Sequence, residues 1–145
     1  MVPARLTVVT IGARDLASLR DFYKSLGWPL AIELDDFAVF QTRGAVVALF
    51  PLEQLVEDAR APGAVKGAGL RGVSLAINVD ERDDVDQAIE AARSAGARIS
   101  KDPVDAEWGG RTAYFVDPED NYWEVAWVPP DSNMAQAIRR ASNLE

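Results

Sequence analysis

Two amino acids are missing altogether from this chain of 145 residues, cysteine and histidine, and their absence excludes more chemistry than any motif present asserts. Without cysteine there is no disulfide, thiolate zinc site, iron–sulfur ligation or thiol nucleophile, and the redox compartment is left open. Without histidine a Ser-His-Asp triad, an imidazole base and His-ligated Zn, Ni, Cu or non-haem Fe are all impossible. No apolar run approaches the ~18 residues of a membrane span. The start, Met1-Val2-Pro3-Ala4-Arg5, shows no charged region followed by an apolar one and a small-residue cleavage site, so the expected location is the cytoplasm. Positive charge is also scarce. Fifteen Lys and Arg against 23 Asp and Glu leave a net charge of −8. That balance disfavours nucleic acid and anionic membrane as partners and suits a neutral or cationic small-molecule ligand.

What remains is a chain that is 48% apolar and of one-domain length, enough to bury about two thirds of its unfolded surface. Residues 6–11 read as a strand. Asp15 then precedes a helical stripe of Leu16, Leu19, Phe22, Tyr23 and Leu26, which Gly27 stops. Strand patterns follow at 30–34, 37–41 and 45–50. The second half repeats this order: a strand at 73–79, Asp84 capping a helix through Val85, Ala88, Ile89 and Ala92, then Gly96, and strands at 97–100, 111–116 and 122–128. Offsets between equivalent positions run 66 (Val8 to Ser74), 69 (Leu16 to Val85 and Gly27 to Gly96), 75 (Phe40 to Phe115) and 76 (Ala48 to Glu124). They rise only where a loop lengthens, as a duplicated unit with insertions at turns requires. The alternative is a chance likeness between two β-rich segments. Between the halves, 51–59 suits a short helix with Pro51 at its first position, and 60–69 is a Gly/Ala-rich connector suited to a mobile linker or lid. After Pro129-Pro130, Asp131 or Ser132 caps a terminal helix with Met134, Ala135 and Ile138 on one face.

Several stretches, in their order, resemble the vicinal oxygen chelate superfamily, which includes glyoxalase I, extradiol dioxygenases and bleomycin-resistance proteins. They are Val8-Val9-Thr10-Ile11-Gly12-Ala13-Arg14-Asp15-Leu16 through Phe22-Tyr23 and Leu26-Gly27, then Trp108-Gly109-Gly110-Arg111, and Phe115-Val116-Asp117-Pro118-Glu119-Asp120-Asn121-Tyr122-Trp123-Glu124. The resemblance implies an α+β fold of two βαβββ modules whose eight strands form a curved mixed sheet around a ligand cavity, commonly completed by a second subunit. One domain, 1–145, then comprises a first module at about 5–50, a connector at 51–70, a second module at about 71–129 and a C-terminal helix at 131–142. In metal-dependent members each module offers a ligand from its first strand and one from its last. Those positions fall on Val8, Ala48, Ser74 and Glu124. Only Glu124 is a good ligand, so no metal and no cofactor are expected.

Glu124 is a carboxylate in an otherwise apolar strand and asks for compensation. Three readings stand: a structural carboxylate satisfied by Arg111, Tyr122 or a water; a general base; or an anchor for a ligand cation. Strand alternation places Tyr122, Glu124 and Ala126 on one face and Trp123, Val125 and Trp127 on the helix side. The same parity turns Val8 and Thr10, Val46, Ala48 and Phe50, and Ser74, Ala76 and Asn78 toward the cavity. Trp108, beside two glycines in a loop, suits ligand or dimer contact. Asp117 to Asn121 reads as a turn, and 80–84 as a solvated acidic loop. The candidate ligand-binding residues are thus Thr10, Ala48, Ser74, Asn78, Trp108, Arg111, Tyr122 and Glu124, with Glu124 the candidate catalytic group. The reading that follows is a metal-free binder of a small molecule, of the antibiotic-sequestering type, assembled as a homodimer. The alternatives are a lyase or isomerase using Glu124 as acid and base, and an interaction module using the terminal helix.

Overall fold

The computed structural model describes residues 1–2, 4–61 and 70–142. The chain divides into two compact units, Met1–Lys66 and Gly67–Glu145. The first holds β1 (Val8–Ala13), α1 (Leu16–Ser25), β2 (Leu30–Leu34), β3 (Phe37–Phe40), β4 (Val46–Pro51) and α2 (Leu52–Asp58). The second holds β5 (Ser74–Asn78), α3 (Asp84–Ser94), β6 (Arg98–Asp105), β7 (Arg111–Val116), β8 (Tyr122–Trp127) and α4 (Asn133–Ser142). The fold is α+β. Its eight strands form two four-stranded mixed sheets, ordered β1-β4-β3-β2 and β5-β8-β7-β6.

Within each unit the first strand runs parallel to the fourth, and the remaining neighbours are antiparallel. A parallel pair needs a crossover, and the helix after the first strand belongs to it. The duplication read from the sequence holds in the hydrogen-bond register. Val8 stands opposite Val46 in the first sheet and Ser74 opposite Tyr122 in the second.

Local chemistry sets the helix that covers each sheet. Asp15 caps α1, its side chain accepting from the Ser18 amide at 3.0 Å, and Gly27 leaves the helix at φ +83°, a conformation that costs glycine little. Leu19, Phe22 and Tyr23 of α1 are buried with Ala38, Phe40, Val47 and Leu49 of the sheet. In the second unit Val85, Ile89 and Ala92 of α3 are buried with Ala113, Phe115, Trp123 and Val125. The Phe115 and Trp123 rings stack there at 6.2 Å. Burying these side chains is worth about 1.5–3 kcal/mol each before chain entropy is charged against it, so this layer supplies most of each unit's cohesion.

Several boundaries differ from the sequence pattern, each for a local reason. The first strand begins at Val8, and Leu6 stays exposed. Pro51 closes β4 and precedes α2 instead of occupying its first turn. That helix is part of the first unit, because Gly12 has no side chain and Leu52 lies where one would stand, 2.7 Å from an added Cβ. Asp83, not Asp84, is the N-cap of α3, while the Asp84 carboxylate accepts from the Glu81 amide. The strand expected at 97–100 extends to Asp105 by absorbing two register shifts, which an edge strand containing Pro103 tolerates. Ser132 caps α4 through the Ala135 amide; Ala135 is buried, whereas Met134 is exposed. Residues 62–69, most of the connector read as a linker or lid, lie outside the described residues. Among the described residues no helix is long and apolar enough to cross a membrane.

Candidate functional site

The second sheet has one face against α3 and one turned away from it; alternation sorts the side chains of β5, β7 and β8 between them, and cross-strand register sorts those of β6. Arg111 marks the helix side, since its guanidinium holds both carboxylate oxygens of Asp86 on α3 at 2.8 Å. Asp105 receives a further bond at 3.1 Å. The hydrogen bonds of Arg111 hold the Asp86 carboxyl below its ordinary range. Asp105 is lowered as well, first by its bond from Arg82 and then by Arg111. Arg111 therefore takes two carboxylates on the helix side and does not meet Glu124, the partner proposed for it from the sequence.

The opposite face follows from the register. Lys101 lies opposite Tyr114, Tyr114 opposite Glu124, and Glu124 opposite Ala76, forming one row across four strands. Arg98, Val116, Tyr122 and Ser74 form the row to one side, and Val104, Thr112, Ala126 and Asn78 the row to the other. The Tyr114 hydroxyl donates to Glu124 Oε2 at 2.8 Å. That bond to a carboxylate pushes the Tyr114 phenol above its ordinary value, with burial and the Glu124 charge acting the same way and a hydrogen bond from Ser74 opposing them. The Tyr114 hydroxyl thus tethers the carboxylate from the neighbouring strand. Glu124 is half-buried. Among the described residues it forms no ion pair, and its other oxygen, Oε1, accepts no hydrogen bond.

Cations line one margin of the same face. Lys101 Nζ donates to the buried Thr112 hydroxyl at 2.8 Å and lies 5.8 Å from the Tyr114 ring centre. Arg98 lies 5.8 Å from the Tyr122 ring centre and donates to its hydroxyl at 3.4 Å. At the far end Asn78 donates to the Ala126 carbonyl at 3.4 Å. Trp108 is exposed, and its ring covers Gly110, where an added Cβ would stand 2.0 Å from it.

Of the eight residues proposed from the sequence, Ser74, Asn78, Tyr122 and Glu124 share this face, and Trp108 lies in the loop before β7. Thr10 and Ala48 face each other across β1 and β4 in the first unit, Thr10 exposed and Ala48 buried. Sequence reasoning missed Tyr114, Lys101, Arg98 and Thr112. A signal for Tyr114 existed. Asp117 accepts from the Glu119 and Asn121 amides at 2.9 Å, building a turn that pairs Val116 with Tyr122. Counting two residues outward from that pair sets Tyr114 opposite Glu124.

The donor set does not suit a metal. The four positions at which the family's metal-dependent members place ligands offer one carboxylate, one hydroxyl and two hydrocarbons, Val8 and Ala48, and the carboxylate already accepts from Tyr114. Among the described residues no three Asp or Glu side chains are grouped to hold an ion.

A duplicated βαβββ unit in which each first strand runs parallel to the fourth defines a class of paired-module α+β proteins. The chain belongs to the Glyoxalase/Bleomycin resistance protein/Dioxygenase superfamily, whose family model matches residues 5–125. Among solved structures it is similar to a glyoxalase-related enzyme from Fulvimarina pelagi, with 26% identity and a TM-score of 0.78 over 88% of this chain and 90% of that one. A glyoxalase/bleomycin resistance protein/dioxygenase from Nocardioides is similar at 26% identity and a TM-score of 0.75, covering 91% and 88% of the two chains. Lactoylglutathione lyase from Agrobacterium tumefaciens shares the fold at 19% identity and a TM-score of 0.67, covering 87% and 95%. The comparison with curated proteins finds no match.

Proposed function

We propose that this chain is a metal-free, small-molecule-binding member of its superfamily, sequestering an antibiotic or metabolite on the face of its second sheet turned away from α3. The observation that carries the reading is Glu124, a half-buried carboxylate held at one oxygen by Tyr114 and lacking any cationic partner among the described residues. A structural carboxylate is ordinarily paired. Here the nearest arginine of β7 is committed to Asp86 and Asp105 instead. The free oxygen suits a hydrogen-bond donor or cation on a ligand whose apolar body rests beside the half-buried Tyr114 and Tyr122 rings. The acidic balance of the chain favours such a ligand at long range.

The bond from Tyr114 to Glu124 favours a second reading, a lyase or isomerase in which Glu124 takes a proton from carbon next to a carbonyl and returns it at another position. Tyr114 would hold the carboxylate in place in either case. We also propose a cytoplasmic homodimer, supported by the exposed Val8, Ile32 and Leu34 side chains of the first sheet. Light scattering at micromolar concentration should give about twice the 15.8 kDa chain mass; a monomer mass would reject it.

Binding is tested by calorimetry and thermal-shift measurements with basic glycopeptide and aromatic antibiotics. The expected result is a saturable stabilisation that Glu124→Gln abolishes. Stabilisation equal in both proteins would sink the assignment of Glu124. Turnover of a carbonyl substrate that Glu124→Gln abolishes without unfolding would favour the enzyme.

A further inference from the structure

The polar row of the second sheet holds two charges of opposite sign that do not neutralise each other. Glu124 forms no ion pair among the described residues, and neither does Lys101. Their strands are separated by β7, which sets the two backbones about 10 Å apart at ordinary strand spacing. Between them stands the Tyr114 side chain, bonded to the carboxylate at 2.8 Å and with the ammonium 5.8 Å from its ring centre. Both side chains are tethered. Although Lys101 is exposed, its Nζ donates to the Thr112 hydroxyl at 2.8 Å, which aims the ammonium back over the same face. A lysine serving only solubility needs no buried hydroxyl to aim it.

We propose that the ligand of this site is amphoteric, placing an anionic group against Lys101 and a cationic or hydrogen-bond-donating group against Glu124, with an apolar body across Tyr114. The inference rests on the proposed binding function and narrows its ligand class from neutral or cationic to doubly charged. Arg98, on the same margin, adds positive potential at the anionic end. Its pairing with Asp120 is loose, at 3.7 Å. Fixed charges of both signs also give orientation: a ligand entering reversed meets like charge at both ends, and that repulsion is a stronger discriminator than a lost attraction.

The test uses one aromatic scaffold in four forms: para-(aminomethyl)phenylacetate, its methyl ester, its N-acetyl derivative and the form blocked at both ends. Ciprofloxacin and its methyl ester serve as a larger pair of the same class. Dissociation constants are measured by ligand-observed NMR for wild type, Lys101→Met and Glu124→Gln, with circular dichroism confirming that each variant is folded. In wild type the amino acid should bind about tenfold more tightly than either singly blocked form, the size expected of one charged hydrogen bond. Lys101→Met should erase its advantage over the ester and leave the ester's own affinity unchanged. Glu124→Gln should erase its advantage over the N-acetyl form. If ester and amino acid bind wild type equally and Lys101→Met changes neither, the amphoteric assignment is wrong while the Glu124 anchor stands. If no form binds, or binding survives Glu124→Gln unchanged, the anchor and the amphoteric assignment fall together.

Discussion

Replacing Glu124 with Gln separates a binding carboxylate from a structural one, because the two predict stability losses of different size. The only hydrogen bond to Glu124 among the described residues comes from Tyr114 at 2.8 Å, and glutamine's carbonyl oxygen can accept that bond in the same place. What is lost is the difference between a bond to a charged acceptor, about 1.5–3 kcal/mol, and one to a neutral acceptor, about 0.5–1.5 kcal/mol. The difference is about 1 kcal/mol, and the half-exposed setting of Glu124 reduces it. Had the carboxylate been buried against an arginine, breaking the pair would cost about 3–5 kcal/mol, because the remaining charge would be stranded. Urea unfolding at pH 7 resolves the two, since with a slope of about 2 kcal/mol/M a 1 kcal/mol loss moves the midpoint by about 0.5 M. Glu124→Gln should therefore unfold within about 1 kcal/mol of wild type while ligand affinity falls about tenfold or more. A loss of 3 kcal/mol or more, with binding unaffected, would refute the reasoning and make Glu124 a structural residue.

Arg111→Met should destabilise the second unit by about 1 kcal/mol through loss of the Asp86 pair, a modest figure because Asp86 is half in solvent and screened. In wild type the Asp86 carboxyl is lowered from 3.8, so its contribution is present above that value and disappears as pH falls through the folded one; Arg111→Met should flatten the acid side of the stability profile, and an unchanged acid profile would contradict the pairing. The Tyr114 phenol is raised from 10.0, so its contribution is full below about pH 10 and declines as pH rises through the folded value. Tyr114→Phe should remove that alkaline decline in a pH series of unfolding midpoints, and a decline unchanged in the variant would assign it elsewhere. Elemental analysis of protein purified without chelator should find no stoichiometric Ni, Zn, Fe or Mn; about one ion per chain, lost in Glu124→Ala, would overturn the account of the donor set.

The sequence carried the fold because its information there is local or repeated. Asp15 and Gly27 bracket α1 through bonds that span a few residues, and apolar residues at helical and strand spacing mark the buried faces. The offset of 66 at Val8 and Ser74 and of 76 at Ala48 and Glu124 mapped one unit onto the other, and the register repeats it. Alternation along one strand likewise set Tyr122, Glu124 and Ala126 apart from Trp123, Val125 and Trp127, as the partition of β8 between its two faces shows. Two helix starts shifted by a residue because Pro51 and Asp83 each compete with an adequate neighbour, and the strand expected to end at 100 ran on to Asp105 through two register shifts.

Partners were another matter. Arg111 and Glu124 are opposite charges on adjacent strands, and a sequence offers no reason to keep them apart until the register turns one toward α3 and the other away. Asp86 then captures Arg111 from a helix 25 positions earlier. Nothing in the sequence marks Lys101, since its strand contains two register shifts that no alternation rule anticipates. Periodicity states which side of its own strand a residue occupies. Which groups meet depends on register between strands, bulges and side-chain reach, all of which are settled only when distant segments pack. Composition and spacing by themselves determined the modules, their helices and the carboxylate at Glu124; tertiary structure alone decided that a tyrosine holds that carboxylate and that a lysine stands beyond it.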